Sequence, residues 1–311
     1  MGGYNCSTPT FPLIGSGRIF YVASCTVIIS LSIALQTIFA MTCQKMKGWK
    51  SDFAFYLLQL MAIFSLLSYL GLLASYIHGL ILFDSSELSR VTGSNYQGSF
   101  FAFVIANLCL TVHRLFYTLL PLRSQFILTT TVERICIASI ILFYIAYIAI
   151  TLSPLASVQF CAAHFFFYFG RAPLYPAISL LNQLSNYAIG IVNVTAYTIM
   201  FATLFIKGTL TFRRNGEIRM TVQAALVSAC ELAFFLYWEY GPSAALPEFW
   251  RRTLDGYSML IYYDVLILPY MIFNKTVKTE MKNLFRKQNS TTPIVVSLDR
   301  PKNEPRQRQS I

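Results

Sequence analysis

Charged residues are spaced so widely along this chain that apolar stretches stand out before any motif does. A helix needs about 20 apolar residues to cross the hydrocarbon of a bilayer. Seven stretches reach that length with almost no charge: Ile19–Met41, Phe53–Leu80, Ser99–Leu120, Ile135–Leu155, Asn182–Ile206, Met220–Tyr240 and Leu254–Phe273. A further greasy run, Phe160–Phe169, is too short to span, and Arg171, Pro173 and Pro176 after it predict a loop folded over the bundle. After the seventh stretch, Val277, Met281, Leu284 and Phe285 recur at helical spacing opposite Lys278, Lys282 and Arg286. This pattern predicts an amphipathic helix over residues 274–287, lying on the inner leaflet with no protein partner for its apolar stripe. Residues 288–311 turn to Ser, Thr, Pro, Arg and Gln, a composition that buries no core and predicts a disordered tail. The expected fold class is therefore all-α: an integral membrane seven-helix bundle with a short amphipathic helix after the last span.

Composition agrees with this pattern. The 311 residues are 56% hydrophobic and 12% charged, with a mean hydropathy of +0.56, against about 25% charged residues in a soluble domain. The 26 Phe and 19 Tyr suit lipid-facing and interfacial positions. A net charge of +11 raises nucleic acid as a partner, but the placement of the charge points to the bilayer instead. Of the Lys and Arg residues, all but Arg18, Arg90, Arg171, Arg251 and Arg252 fall on one side of the predicted map. By the positive-inside rule that side is cytoplasmic, which leaves the amino terminus (residues 1–18) outside a plasma-membrane protein. No signal peptide is evident there, so the first span would act as signal anchor. Asn5-Cys6-Ser7 is then a candidate glycosylation acceptor, whereas the triplets at Asn193, Asn274 and Asn289 fall within the bilayer or the cytoplasm. Five of the cysteines, Cys25, Cys43, Cys109, Cys136 and Cys230, lie in or beside spans. Cys6 and Cys161 remain as an extracellular pair able to bridge in an oxidising compartment.

Val112-His113-Arg114-Leu115 closes the third span, and Pro121-Leu122 follows. This resembles the rhodopsin-like G-protein-coupled receptors, which carry Asp/Glu-Arg-Tyr at this place with Pro-Leu beginning seven residues after the Arg. Here His113 stands for the acid and Leu115 for the Tyr, so the usual local ion pair is missing. The resemblance implies that His113, Arg114 and Pro121 sit at the cytoplasmic mouth, where the Arg meets a heterotrimeric G protein. The plainer reading is that Arg114 marks the membrane boundary. A second resemblance lies in Pro269-Tyr270-Met271-Ile272-Phe273-Asn274-Lys275. Tyr270 takes the place of the tyrosine in the family's Asn-Pro-x-x-Tyr, while its Asn and Pro fall on Leu266 and Ile267 and the proline stands at Pro269. Pro269 either permits a kink in a switching helix or ends that helix. No Asp occurs in the second span, the sixth lacks Cys-Trp-x-Pro, and no Cys stands at the outer end of the third. With Glu217-Ile-Arg-Met-Thr-Val-Gln223 opening the sixth helix, these departures resemble the nematode serpentine chemoreceptors, class X in particular, over residues 19–288. That resemblance implies a small environmental or pheromone-like ligand, a location on sensory cilia, and no cofactor.

Buried polar residues are the remaining candidates, because an ionisable group in lipid costs about 2.5–3.5 kcal/mol on insertion scales and turns toward the bundle interior. Glu231 and Asp264 are the acids, with Gln59, Asn107, Asn182, Asn186 and Asn193 as uncharged neighbours. Glu231 falls about 18 Å from Arg219 along its helix. It is expected to be a neutral acid bonded to an Asn or Tyr of another helix, or a counter-ion to a cationic ligand. Asn107, Asn186, Glu231 and Asp264 are thus candidates both for ligand contact and for interhelical hydrogen bonds. Enzyme motifs are missing: His78, His113 and His164 are scattered, and no His-Glu-x-x-His, Cys-x-x-Cys or glycine-rich phosphate loop occurs. A transporter or channel subunit is the alternative class. Against it stand the absence of a repeat of broken helices and of ring-forming charges within spans.

Overall fold

The computed structural model describes residues 15–46, 53–81, 85–120, 128–206, 215–241 and 248–289. Asn5, Cys6, Pro121 and the tail from residue 290 lie outside the described residues. The elements in order are α1 (Ser16–Lys45), α2 (Phe53–Ile81), α3 (Ser86–Leu119), α4 (Thr130–Leu152), β1 (Val158–Cys161), β2 (Phe166–Phe169), α5 (Tyr175–Ile206), α6 (Asn215–Tyr240), α7 (Glu248–Phe273) and α8 (Lys275–Asn289). Among the described residues, six helices are long and apolar enough to cross a bilayer: α1 to α5 and α7. The chain is a multi-pass, all-α membrane protein with one small hairpin.

Three features depart from the expectations. Helix α3 begins at Ser86, thirteen residues before the apolar run at Ser99, because Ser85 caps it by accepting from the Leu88 N–H and its polar first turns have partners. Arg90 donates to the Leu152 and Ser153 carbonyls at the end of α4, where cationic donors satisfy the last carbonyls of a helix. Helix α5 begins at Tyr175 rather than Asn182. Pro176 stands in its first turn, where a missing N–H is harmless, so this proline starts a helix instead of marking a loop. Lastly, the stripe of α8 has a protein partner. Val277 is fully buried and Met281 packs on the core, with α8 lying against α1 and α7. Asn274 caps α8 by accepting from the Thr276 and Val277 N–H groups.

Helix α3 is the axis of the bundle and α4 its most peripheral member. Of the membrane-length window, 61% is buried in α3 and 17% in α4. Helix α3 contacts α2, α4, α5 and the hairpin. Helix α4 buries only Ile140, Tyr147 and Thr151, and turns Ile135, Leu142 and Ile145 outward as lipid-facing surface. The core between α3, α6 and α7 is aromatic: Tyr262 packs on Phe234 and Trp238 with ring centroids 5.2 and 5.0 Å apart, and Phe103 on Tyr263 at 4.9 Å. Pro269 lies inside α7, which continues to Phe273, so this proline does not end its helix. In α5 the residues Ala188–Val192 are wound as a π-helix. There Gly190 meets the Phe235 ring of α6 so closely that any Cβ would collide with it.

Candidate functional site

Two regions of the bundle carry polar chemistry: a cavity under the hairpin, and a buried polar layer nearer the opposite end.

The hairpin is antiparallel, with Val158 opposite Phe169 and Cys161 opposite Phe166. It rests on α3. Gly93 has no Cβ where Val158 O would stand 2.5 Å away, and the Ser89 hydroxyl accepts from the Phe160 N–H at 2.7 Å and donates to its carbonyl at 2.9 Å. Arg18, buried at the start of α1, holds the turn. It donates to the Gly79 carbonyl of α2 and to the Ala162 and Ala163 carbonyls, and its guanidinium lies 4.4 Å from the centroid of the Phe165 ring. Phe165 is held at φ 55°, a left-handed conformation that a bulky residue adopts only where its surroundings hold it there. Its ring stacks on Tyr76, and Gly79 leaves room for it. Cys161 is disulfide-bonded, and Cys25, Cys43, Cys109, Cys136 and Cys230 are free thiols. Its expected partner, Cys6, lies outside the described residues.

Beneath this lid is a cavity of about 320 Å³. Its walls include Tyr76, Tyr96, Phe165 and Phe167, with Gln97, Asn182, Arg251 and Asp255 as polar groups. Tyr96 and Phe167 stack at 4.3 Å, and Gln97 donates to the Asn182 Oδ1 at 2.9 Å, joining α3 to α5. An apolar, aromatic pocket with a few fixed polar groups is what small-molecule recognition requires. None of Asn107, Asn186, Glu231 and Asp264 lines it.

Those four residues join helices instead. Asn107 of α3 and Asn193 of α5 both donate to the Oε1 of Glu231 in α6, the second at 3.0 Å. Asn107, Asn193 and Glu231 are all buried, and Glu231 Oε2 and Asn193 Oδ1 have no hydrogen-bond partner among the described residues. Asp264 of α7 accepts from the Ser32 hydroxyl and, at 2.9 Å, from the Gln36 amide, both on α1. Asn186 donates to Glu239 at 2.9 Å, one step further toward the hairpin along the same α5–α6 seam.

Two turns below Asn107 on α3, the Arg114 guanidinium lies 5.0 Å from the centroid of the buried Tyr270 ring on α7, a cation–π geometry. His113 turns the other way and packs on Phe53 of α2 at 5.3 Å and on Tyr117 at 4.7 Å. Arg18, Ser32, Gln36, Asn95 and Gln97 were not singled out as site residues from the sequence. Asn95 donates to the Leu67 carbonyl and accepts from the Tyr144 hydroxyl at 2.7 Å, tying α2, α3 and α4 together. Gly71 makes that approach possible, since a Cβ there would stand 2.7 Å from the Asn95 amide.

No family model and no curated protein matches this sequence.

Proposed function

We propose that this chain is a seven-pass, rhodopsin-like G-protein-coupled receptor of the chemosensory kind, which binds a small molecule under the hairpin and signals from the opposite end. The observation that carries this reading is the meeting of Arg114 and Tyr270. These are the two residues that the family's short motifs single out, they come from opposite parts of the sequence, and they are in contact at the end of the bundle away from the cavity. An arginine that only marked a membrane boundary would have no need of a ring from another helix.

Helix α6 supplies the seventh pass. It has 26 residues, and between Arg219 and Glu239 its one charged residue is Glu231, which is buried and accepts two amides. With the basic residues on the Arg114 side, the hairpin end faces outward at the plasma membrane. A ligand there favours whichever arrangement of α3, α5, α6 and α7 it binds better, and the G protein reads the altered Arg114 end. The ligand class expected from the serpentine-receptor resemblance is small and environmental or pheromone-like, acting on ciliated sensory neurons.

The test is nucleotide exchange. Cells expressing the chain with a panel of G-protein α subunits are screened with small aromatic and apolar compounds. The expected result is stimulated exchange that Arg114→Ala abolishes at unchanged surface expression. Stimulated exchange that survives Arg114→Ala would reduce that residue to a topology marker. A tag inserted before Gly15 should label intact cells, and one after Lys287 should label only permeabilised cells; the reverse would overturn the orientation.

A further inference from the structure

We propose that Cys109 of α3 and Cys136 of α4 form an oxidation site that closes to a disulfide on reaction with a hydroperoxide. Their sulfurs lie 3.4 Å apart, with the Cys136 thiol donating to Cys109. Both are free and half-buried. The other described free thiols have no such partner: Cys25 and Cys43 are fully buried, and Cys230 is a lone half-buried thiol on α6.

Geometry permits closure. A disulfide has its sulfurs about 2.05 Å apart, so each pair member has only a fraction of an ångström to move, on the order of 0.7 Å. Helix α4 can supply that movement. It packs chiefly on α3 and buries three residues, so a small shift disturbs little else. Val112 on α3 and Ile135 on α4, which flank the thiols, are exposed apolar residues. The pair therefore borders the lipid-facing surface, where a neutral oxidant can reach it from the hydrocarbon.

The chemistry balances with a hydroperoxide as the only co-reactant. One sulfur attacks the terminal peroxide oxygen, the O–O bond breaks, and the products are a sulfenic acid and an alcohol, or water when the oxidant is hydrogen peroxide. The second sulfur then attacks the sulfenic sulfur, the S–S bond forms, and the hydroxyl leaves as water with the second thiol's proton. Two thiols are oxidised by two electrons and the peroxide is reduced. Holding the second thiol in contact makes this last step intramolecular, which a lone thiol cannot match. The product would staple α3 to α4 five residues from Arg114. None of this depends on the chain being a receptor.

The experiment uses the full chain in lipid nanodiscs. One sample receives hydrogen peroxide in the buffer, and another is assembled with a fatty-acid hydroperoxide in the bilayer. After quenching and alkylation, digestion without reductant is followed by mass spectrometry. The expected product is the Cys109 peptide joined to the Cys136 peptide in one or both samples, and the sample that yields it identifies the source of the oxidant. In the wild type a dimedone probe should capture Cys230 as its sulfenic acid but neither Cys109 nor Cys136, because only at the pair is the second step intramolecular. Cys136→Ser should leave Cys109 as a sulfenic acid, trapped by a dimedone probe. Recovery of both cysteines fully alkylated in both samples would overturn the proposal. So would capture of Cys109 or Cys136 as a sulfenic acid in the wild type with no joined peptide.

Discussion

Two acids inside the bundle, Glu231 fully buried and Asp264 half-buried, are satisfied differently. Asp264 joins α7 to α1 with one donor for each carboxyl oxygen, from Ser32 and Gln36. Glu231 joins α6 to α3 and α5, but both amides fall on Oε1 and Oε2 has no partner among the described residues. The first satisfies both carboxyl oxygens, with the Gln36 Oε1 beside it left without a partner among the described residues. The second leaves one buried oxygen without a partner among the described residues, two turns from the place where Arg114 lies over the Tyr270 ring. An under-satisfied buried group is expected where an alternative arrangement exists that satisfies it better. On the receptor reading proposed above, the difference points to Asp264 as a fastening and to Glu231 as part of the switch.

The largest effect should come from breaking the closed site. Asp264→Leu leaves the Ser32 hydroxyl and the Gln36 amide buried without an acceptor, and each such group costs about 1–3 kcal/mol. A fall in the detergent melting temperature and in surface expression should follow, measured by thermal scanning and surface labelling. Asp264→Asn keeps an acceptor for one of the two donors and should recover most of the stability. Should the Leu variant melt with the wild type, Asp264 is not a fastening and the comparison fails.

Glu231 should show a smaller effect on stability and a larger one on signalling. Glu231→Gln retains an acceptor for Asn107 and Asn193 and adds donors on the side where Oε2 has no partner. Its stability should stay within about 1 kcal/mol of the wild type, in keeping with interhelical hydrogen bonds in membranes. Glu231→Leu removes the acceptor and should impair agonist-driven exchange at equal surface expression. Loss of response with Gln alone, toward a basic ligand, would instead make Glu231 a counter-ion. Normal signalling by the Leu variant would remove it from the switch.

How far this contrast was legible from sequence depends on the residue. Glu231 and Asp264 stand out in the chain because a carboxylate within an apolar run is conspicuous whatever its partners are. Asn107 stands out for the same reason. Ser32 and Gln36 do not, since short polar residues are common in spans and nothing local distinguishes one that meets α7. Arg18 was hidden by its position: immediately before the apolar stretch that begins at Ile19 it reads as a boundary charge, and only the fold brings Gly79, Ala162 and Ala163 around it. The hairpin was hidden too. Its aromatic run signalled a segment covering the bundle, but pairing of Phe166–Phe169 with Val158–Cys161 depends on Ser89 and Gly93 of a distant helix. Helix starts at Ser86 and Tyr175 escaped the search for apolar stretches because the first turns of α3 and α5 are polar or contain proline.

A double variant sharpens the comparison further, with an expected coupling near zero. The two networks share no residue: one joins α1 to α7, the other α3, α5 and α6. Changes at sites without shared partners add within about 0.3–0.5 kcal/mol. Asp264→Asn and Glu231→Gln together should therefore lower stability by the sum of their separate effects, read as melting temperature in the same detergent. A coupling well above that range would mean that the two acids belong to one network through the aromatic core at Tyr262 and Tyr263.

The smallest effect is expected at Asn186, and its value lies in testing depth along a single seam. Asn186 and Asn193 both lie on α5 and both donate to a glutamate of α6, at 2.9 Å to Glu239 and 3.0 Å to Glu231. Length does not separate them; burial does. Asn193 and Glu231 are each 0% exposed, whereas the Asn186–Glu239 bond is only partly buried and lies one residue from the end of α6. Water can replace the partner that Asn186→Ala removes, so that change should cost less than about 0.5 kcal/mol and leave exchange intact. Asn193→Ala takes from Glu231 one of its two donors in a place without such a substitute, and should cost about 1–2 kcal/mol. It should also shift basal exchange, because the unused capacity of Glu231 then becomes larger. Paired measurements of melting temperature and basal exchange on the two alanine variants check this. Equal effects from both would show that burial does not grade the α5–α6 seam, and the contrast between a fixed and an adjustable acid would lose its physical basis.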